Sequence, residues 1–440
     1  MQRDSLLPAD RGHINSLDGL RAIAAFVVLI FHVAFSTADL LNGSGGGWRI
    51  VAHGDVGVPI FFALSGLLLY RPWARRTFEG GPAPRVRTYL WRRALRILPA
   101  YWAVVIVALV AFNGTHARTP TTWLEWLGLA QIYDLHPWWS GTGPDGLGQM
   151  WSLSTEVAFY LLLPIIAAVL ATYATYGNAD VDTRARRLLT ALGVLSVLSF
   201  VWVAAIHQTP HAYYLELWLP RSLCWFAAGM ALTVLVEWAR SERGTPYGPV
   251  GRLCRTVAFT PGACWLVAVA AWGLVATPLA GPPYPEAPNL LQTMVKNLLY
   301  MIIAIGLVAP AAFQPGGRTL TTTVLGNPVM RFLGKISYGV FLWQFVVIYA
   351  WHSISGRPFW GHDFWLVLPV VTALTIAVAT ACYYLIEMPA QRLKSVNPRW
   401  AVTLPERRTE ATALPAAGPA PSTVTSPAVD ARTGRWHRGA

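Results

Sequence analysis

The chain is poor in charge. Of its 440 residues only 12% are Asp, Glu, Lys or Arg, against 54% hydrophobic, whereas a soluble domain carries about 25% charged residues. With a mean hydropathy of +0.43, a large soluble core is excluded and a membrane protein is indicated. Lysine is nearly absent: Lys296, Lys335 and Lys394 stand against 31 arginines, a bias of codon usage in a GC-rich genome. Four cysteines (Cys224, Cys254, Cys264, Cys382) are scattered with no Cys-x-x-Cys pair, so neither a disulfide framework nor a zinc site is indicated. No metal site of any kind is expected. No internal repeat is present, and the first apolar segment lacks a small-residue cleavage site, so it reads as a retained span.

The net charge of +13 does not indicate nucleic acid. The basic residues occupy short connectors between apolar runs, the pattern that orients a chain in a membrane. The runs at 17–38, 54–71, 97–113, 151–173, 188–206, 217–238, 262–279, 291–313, 332–352 and 364–388 are each long enough to cross a bilayer. The expected fold is therefore an all-α, polytopic membrane helix bundle of about ten transmembrane helices, in the cell membrane, with both termini cytoplasmic. A shorter stretch at 123–135 is ambiguous by hydropathy, but spanning there would export Arg240, Arg243, Arg252 and Arg255, against the positive-inside bias. Residues 114–150 thus read as an external loop with interfacial tryptophans. The organisation predicted is a short N-terminus (1–16), a transmembrane domain (17–393) and a disordered Pro, Ala and Thr-rich cytoplasmic tail (394–440).

Ionisable groups inside spans are costly and usually face a cavity and work there. The first span holds Arg21 at its mouth and His32 deep inside. Their spacing is about 20° past three full turns and roughly 16 Å of rise, so both point the same way. Arg93 and Arg96, three apart at the inner mouth of the third span, form paired guanidinium forks suited to a phosphate-rich ligand. Arg71, Arg75, Arg76, Arg85 and Arg87 are accounted for by orientation and anionic lipid. Glu156 lies near the outer end of the fourth span, at a depth that counting residues matches to His32. A carboxylate there pairs with the imidazole, fixes its tautomer and raises its basicity; the alternative is a structural hydrogen bond between helices. Ser65-Gly66 in the second span reads as close helix packing. Arg221 and Lys296 need partners, with Glu216 or Glu286 in reach at the outer surface. His116, His136, His207, His211 and His362 belong to external loops.

These stretches resemble the acyltransferase 3 family of integral-membrane O-acyltransferases, from Leu17 to about Leu393. The arginine, ten residues, histidine motif falls on Arg21 and His32. Arginine-x-x-arginine falls on Arg93 and Arg96, and tryptophan-serine-leucine-x-x-glutamate on Trp151, Ser152, Leu153 and Glu156. Looser matches are Phe61 to Leu67, Ile336-Ser337-Tyr338-Gly339 and Glu387-Met388-Pro389. In one place the chain departs from the family: where a Tyr-Leu-x-His pattern is common it reads Phe341-Leu342-Trp343-Gln344. Gln344 hydrogen-bonds but does not shuttle a proton at neutral pH, so it is left out of the catalytic set.

The resemblance implies an acyl-CoA donor, with acetyl the expected group, consumed as a substrate with no permanently bound cofactor. It implies a hydroxyl-bearing glycan, glycolipid or secondary metabolite as acceptor. The expected posture has the donor phosphates on Arg93, Arg96 and Arg21, and its arm rising to His32 as general base. Glu156 supports His32. Transfer is expected to be direct, because no serine or cysteine stands beside a base in a recognisable motif. Two rivals compete: a transporter of an acylated glycoconjugate or lipid, which inverted repeats do not support, and a catalytically silent relative.

Overall fold

The computed structural model describes residues 14–42, 46–242, 248–282, 286–314, 318–361 and 363–395. The expected tail beyond 395, the first thirteen residues and His362 lie outside them. Among the described residues there is no β-strand. Eleven helices carry the fold: α1 (Asn15–Ser36), α2 (Gly57–Glu79), α3 (Val86–Phe112), α4 (Trp151–Thr175), α5 (Val181–Ile206), α6 (Leu219–Ser241), α7 (Pro249–Phe259), α8 (Pro261–Val275), α9 (Leu290–Ala312), α10 (Pro328–Ser355) and α11 (Phe364–Cys382).

Among the described residues nine helices are long and apolar enough to cross a membrane. The tenth expected span is the short α8, which meets α7 at a 74° bend; counted as one broken span, the pair makes ten. The protein is a multi-pass membrane protein. The stretch at 123–135 contains only the eight-residue helix Pro120–Leu127 and a turn at Gln131–Tyr133, so it does not cross.

Helix starts follow the local chemistry. Asn289 and Gln292 form a reciprocal capping box at the head of α9, and the Asn327 side chain accepts from the Met330 amide at the head of α10, each satisfying orphan donors of the first turn. On α5, Val194, Val197, Leu198 and Val201 are exposed. They sit at i, i+3, i+4 and i+7, one apolar stripe, and a stripe left uncovered on a spanning helix faces lipid.

The centre is a close crossing of α2 and α6. A Cβ on Gly66 would collide with the Phe226 carbonyl, and one on Gly229 with the Ala63 carbonyl, so the two backbones touch where only glycine allows it. The packing reading of Ser65-Gly66 holds for the glycine. Thr233 Oγ1 adds a 2.7 Å bond to the Leu67 carbonyl, and Phe62, Phe226 and Phe159 stack in sequence beside it. At the basic end of this pair Arg240 meets buried Glu237 at 2.8 Å, with Arg71 and Arg75 each at 3.8 Å. Two arginines assigned from sequence to lipid and orientation are thus ion-paired inside the protein.

Gly229→Ala should destabilise the bundle by about 1–3 kcal/mol, the usual cost of overpacking. The measurement is thermal melting of the detergent-solubilised chain, with a fall of several degrees expected; an unchanged midpoint would show that α2 and α6 are not in backbone contact.

Candidate active site

A cavity of about 330 Å³ opens between α1, α2, α3, α4 and α10. Its polar floor is made by Arg21, Arg93, Arg96, Glu156 and Ser65, with Lys394 at the rim. Along α2 it follows one face from Leu69 to Val58, roughly 16 Å of helix. It ends in an apolar wall of Val58, Phe61 and Phe341. The volume is at the small end of the ~300–1,000 Å³ typical of ligand pockets, and it is long and narrow.

The three arginines predicted from the sequence therefore share one chamber. Helix α3 begins at Val86, not near 97, so Arg93 and Arg96 stand two to three turns inside a helix rather than at its mouth. Arg21 faces Asp18 at 3.6 Å, and a Cβ on Gly334 would strike the Asp18 backbone, so α10 is pressed against α1 there. Among the described residues Arg93 Nε is buried with no hydrogen-bond partner. Cations crowded into an apolar bundle are expensive, and carboxylates offset them. Glu156 acts on both Arg21 and Arg93. Glu387, at the end of a π-helical turn Tyr383–Glu387, acts on Tyr338, and Arg96 acts on Glu387 in turn. Tyr338 donates to the Ile97 carbonyl at 2.9 Å, tying α10 to α3.

Glu156 is in this chamber but not beside His32. Its Oε1 accepts from Ser65 Oγ and from Tyr160 OH at 2.6 Å. The matched depth inferred for Glu156 and His32, and the pairing built on it, are corrected by the packing. Gly57 faces Ala24 and Val28; Ser65 lies eight residues along α2 from there in one direction, and His32 four residues along α1 in the other. At ~1.5 Å per residue that separates them by roughly 18 Å along the bundle. The cause is the segment before α4. Gln131, Ile132, Leu147 and Met150 are each at most 3% exposed. Gln149 bonds the Leu342 carbonyl at 2.8 Å, Gln131 bonds Ser154 at 2.8 Å, and Thr155 bonds the Leu217 carbonyl at 2.6 Å. The loop at 131–150 enters the bundle, so α4 starts far below the surface.

His32 lies outside the cavity lining, beyond its apolar end. Its ring packs on Phe345 with centroids 4.2 Å apart. Gln344 is a polar neighbour of the ring, and His32 Nδ1 and Gln344 Oε1 are both buried without a hydrogen-bond partner among the described residues. Of the loop histidines, His116 stacks on Trp138 at 3.8 Å, and His136 meets His211 at 4.9 Å. Arg221 finds Glu216 at 3.4 Å, as expected, but Lys296 pairs with Asp55 at 3.2 Å, not Glu286. Ser65, read from the sequence as helix packing, instead donates to Glu156, and Asp55 escaped sequence reasoning because its partners stand far along the chain.

The fold and the cavity define the class: a multi-pass membrane protein whose helical bundle holds an arginine-lined chamber. The chain belongs to the acyltransferase 3 family; a family model described as an acyltransferase domain matches residues 14–384. It is similar to nodulation protein 10 of Rhizobium leguminosarum, 24% identical over 87% of this chain and 95% of that one. It is also similar to a peptidoglycan O-acetyltransferase of Listeria monocytogenes (22%, 88% of this chain) and a putative one of Bacillus subtilis (24%, 86% of this chain). Of these last two it spans 57% and 55% of the length. No solved structure matches the chain.

Lys394 contributes a pH dependence. Burial, and then Arg96, Arg93 and Arg92, bring its ammonium down to about 8. It is charged below that value and neutral above it, so affinity for tripolyphosphate should weaken as pH rises from 7 to 9. Lys394→Met should flatten that part of the profile in calorimetric titrations; an identical slope in both proteins would remove Lys394 from the rim.

Proposed function

We propose that the chain is an O-acyltransferase that moves an acyl group, acetyl in the first instance, from acyl-CoA to a hydroxyl of a cell-envelope glycan. The observation that supports this most is the convergence of Arg21, Arg93 and Arg96 on the floor of a narrow, otherwise apolar duct that rises along α2. Three guanidinium groups suit the phosphates of the nucleotide, and the duct suits the slender arm that carries the thioester. The acceptor class is favoured by the peptidoglycan named for two relatives.

In this reading His32 is the general base. It takes the proton of the acceptor hydroxyl as that oxygen attacks the thioester carbonyl; the C–O bond forms, the C–S bond breaks, and the thiolate leaves down the duct. In this reading the acyl carbonyl reaches His32 by movement of the aromatic side chains at the closed end, where Phe341 lines the cavity and Phe345 packs on the imidazole. Glu156 serves the donor end, as counter-charge to the arginines and acceptor for Ser65 and Tyr160. Ser65 thus faces the phosphate end of the donor, not its thioester, and transfer is direct although a serine does stand against a carboxylate.

His32→Ala should abolish acyl transfer while leaving the protein inserted and donor binding intact. Arg93→Ala should raise the acyl-CoA concentration needed by about tenfold or more, in keeping with the loss of one charge-assisted contact. Mass spectra of envelope glycans, searched for one acyl increment, report the first; titration with CoA reports the second. Normal acylation by His32→Ala, or unchanged CoA affinity in Arg93→Ala, would defeat the corresponding assignment.

A further inference from the structure

Helix α10 stops at Ser355, Gly356 turns the chain at φ 67°, and the segment that follows comes back over the end of α1. The Trp360 amide donates to the Ser36 carbonyl at 2.8 Å, and the Trp360 ring meets Phe35 in a T-shaped contact, centroids 5.0 Å apart. His32, Phe35 and Ser36 stand at i, i+3 and i+4, on one face of α1. Trp360 is thereby fixed about one turn, roughly 6 Å of helix, beyond His32, at the end of α1 away from Arg21. A second path leads to the same place. Phe359 packs on Tyr349 at 4.7 Å, Tyr349 on Phe345 at 6.4 Å, and Phe345 on His32 at 4.2 Å.

Two features of Trp360 are unusual. Its φ is 60–80° into the left-handed region, at 73°, where a bulky side chain rarely goes and which the surrounding fold must hold against strain. It is also 43% exposed. Phe35 and Phe359 meet the indole at interplanar angles of 75° and 65°, so neither ring lies flat on it. Trp365 is more exposed, at 79%, but it sits in the regular first turn of α11, as suits an anchor at the membrane interface. An anchor of that kind has no need of a strained backbone. His32 itself is only half-buried while its Nδ1 is enclosed, so its accessible surface lies elsewhere on the residue. On the loop that carries Trp360, Arg357 pairs with Asp363 at 2.7 Å.

A pyranose ring has the complementary chemistry. Its C–H groups meet the electron-rich face of an indole, and its hydroxyls exchange hydrogen bonds with carboxylate and guanidinium groups. We infer that Trp360 is the surface on which a sugar ring of the acceptor glycan stacks, so that a hydroxyl of that glycan is presented to His32. The inference rests on the proposed function, with His32 as base and a glycan as acceptor, and adds the subsite that holds the sugar. Trp360 touches the acceptor and not the donor, whose phosphates that reading places at the other end of the duct.

The test uses the full-length chain in a host that lacks other envelope acyltransferases. Alkali-released acetate from isolated envelopes reports transfer, immunoblotting of membranes reports the amount of protein, and calorimetry in detergent reports acetyl-CoA affinity. Trp360→Ala should lower acetate about tenfold or more, in the range found for a ring stacked on an aromatic side chain, with amount and affinity unchanged. Trp360→Gly decides between stacking and structure. Glycine takes a positive φ without strain, so a purely structural tryptophan predicts wild-type acetate or better, whereas a stacking one predicts the loss given by Ala. Trp360→Tyr keeps both the aromatic face and the strain, and should recover most of the activity. Wild-type acetate in Trp360→Gly overturns the inference, as does a loss that only follows protein amount, or a Tyr variant as inactive as Ala. His32→Ala separates the two claims. If it is inactive while Trp360→Ala and Trp360→Gly are active, only the subsite fails; if the wild-type chain yields no more acetate than His32→Ala, the proposed function fails and the subsite with it.

Discussion

Guanidinium groups inside an apolar bundle are the constraint on which the rest of the molecule turns. Each must meet an anion, an acceptor or water, because hydrocarbon offers none. Two solutions appear side by side. Arg71, Arg75 and Arg240 gather on Glu237, an ion cluster that locks α2 to α6. Arg21, Arg93 and Arg96 instead gather around open volume; Asp18 pairs with Arg21 at 3.6 Å, while among the described residues Glu156 and Glu387 act on Arg93 and Arg96 from beyond ion-pair distance. The contrast between the two groups is what supports the proposal that the second is functional: the first shows what a settled arrangement looks like.

The membrane bundle was legible in the sequence because hydropathy over eighteen or more residues is nearly sufficient when no water is available to the backbone. It failed in detail where composition and length disagree. Helix α8 is only 15 residues long, and its partner α7 carries two arginines, so a broken span read as a single apolar run. Helix α3 extends well beyond its apolar stretch because Arg92, Arg93 and Arg96 are good helix formers with an interior to face.

The site was legible in parts. Local spacing along one helix is rigid, which is why Arg93 and Arg96 fall on one face and join Arg21. Depth across helices is not encoded locally. Counting from the ends placed Glu156 beside His32, and the count was defeated by a loop that dives inward on Gln131, Gln149 and Met150. The same blindness hid Asp55: a single carboxylate in a connector carries no signal until Lys296 and Tyr300, some 240 residues onward, are folded against it.

The apolar wall of Val58, Phe61 and Phe341 has a bioenergetic corollary. A polar channel open at both faces would carry protons and sodium along with any ligand, and would collapse the gradient that the surrounding membrane maintains. Aromatic constrictions resist wetting, so such a wall blocks ions whenever its rings are closed. A cavity stoppered in this way leaves the bilayer electrically tight on the side of the wall.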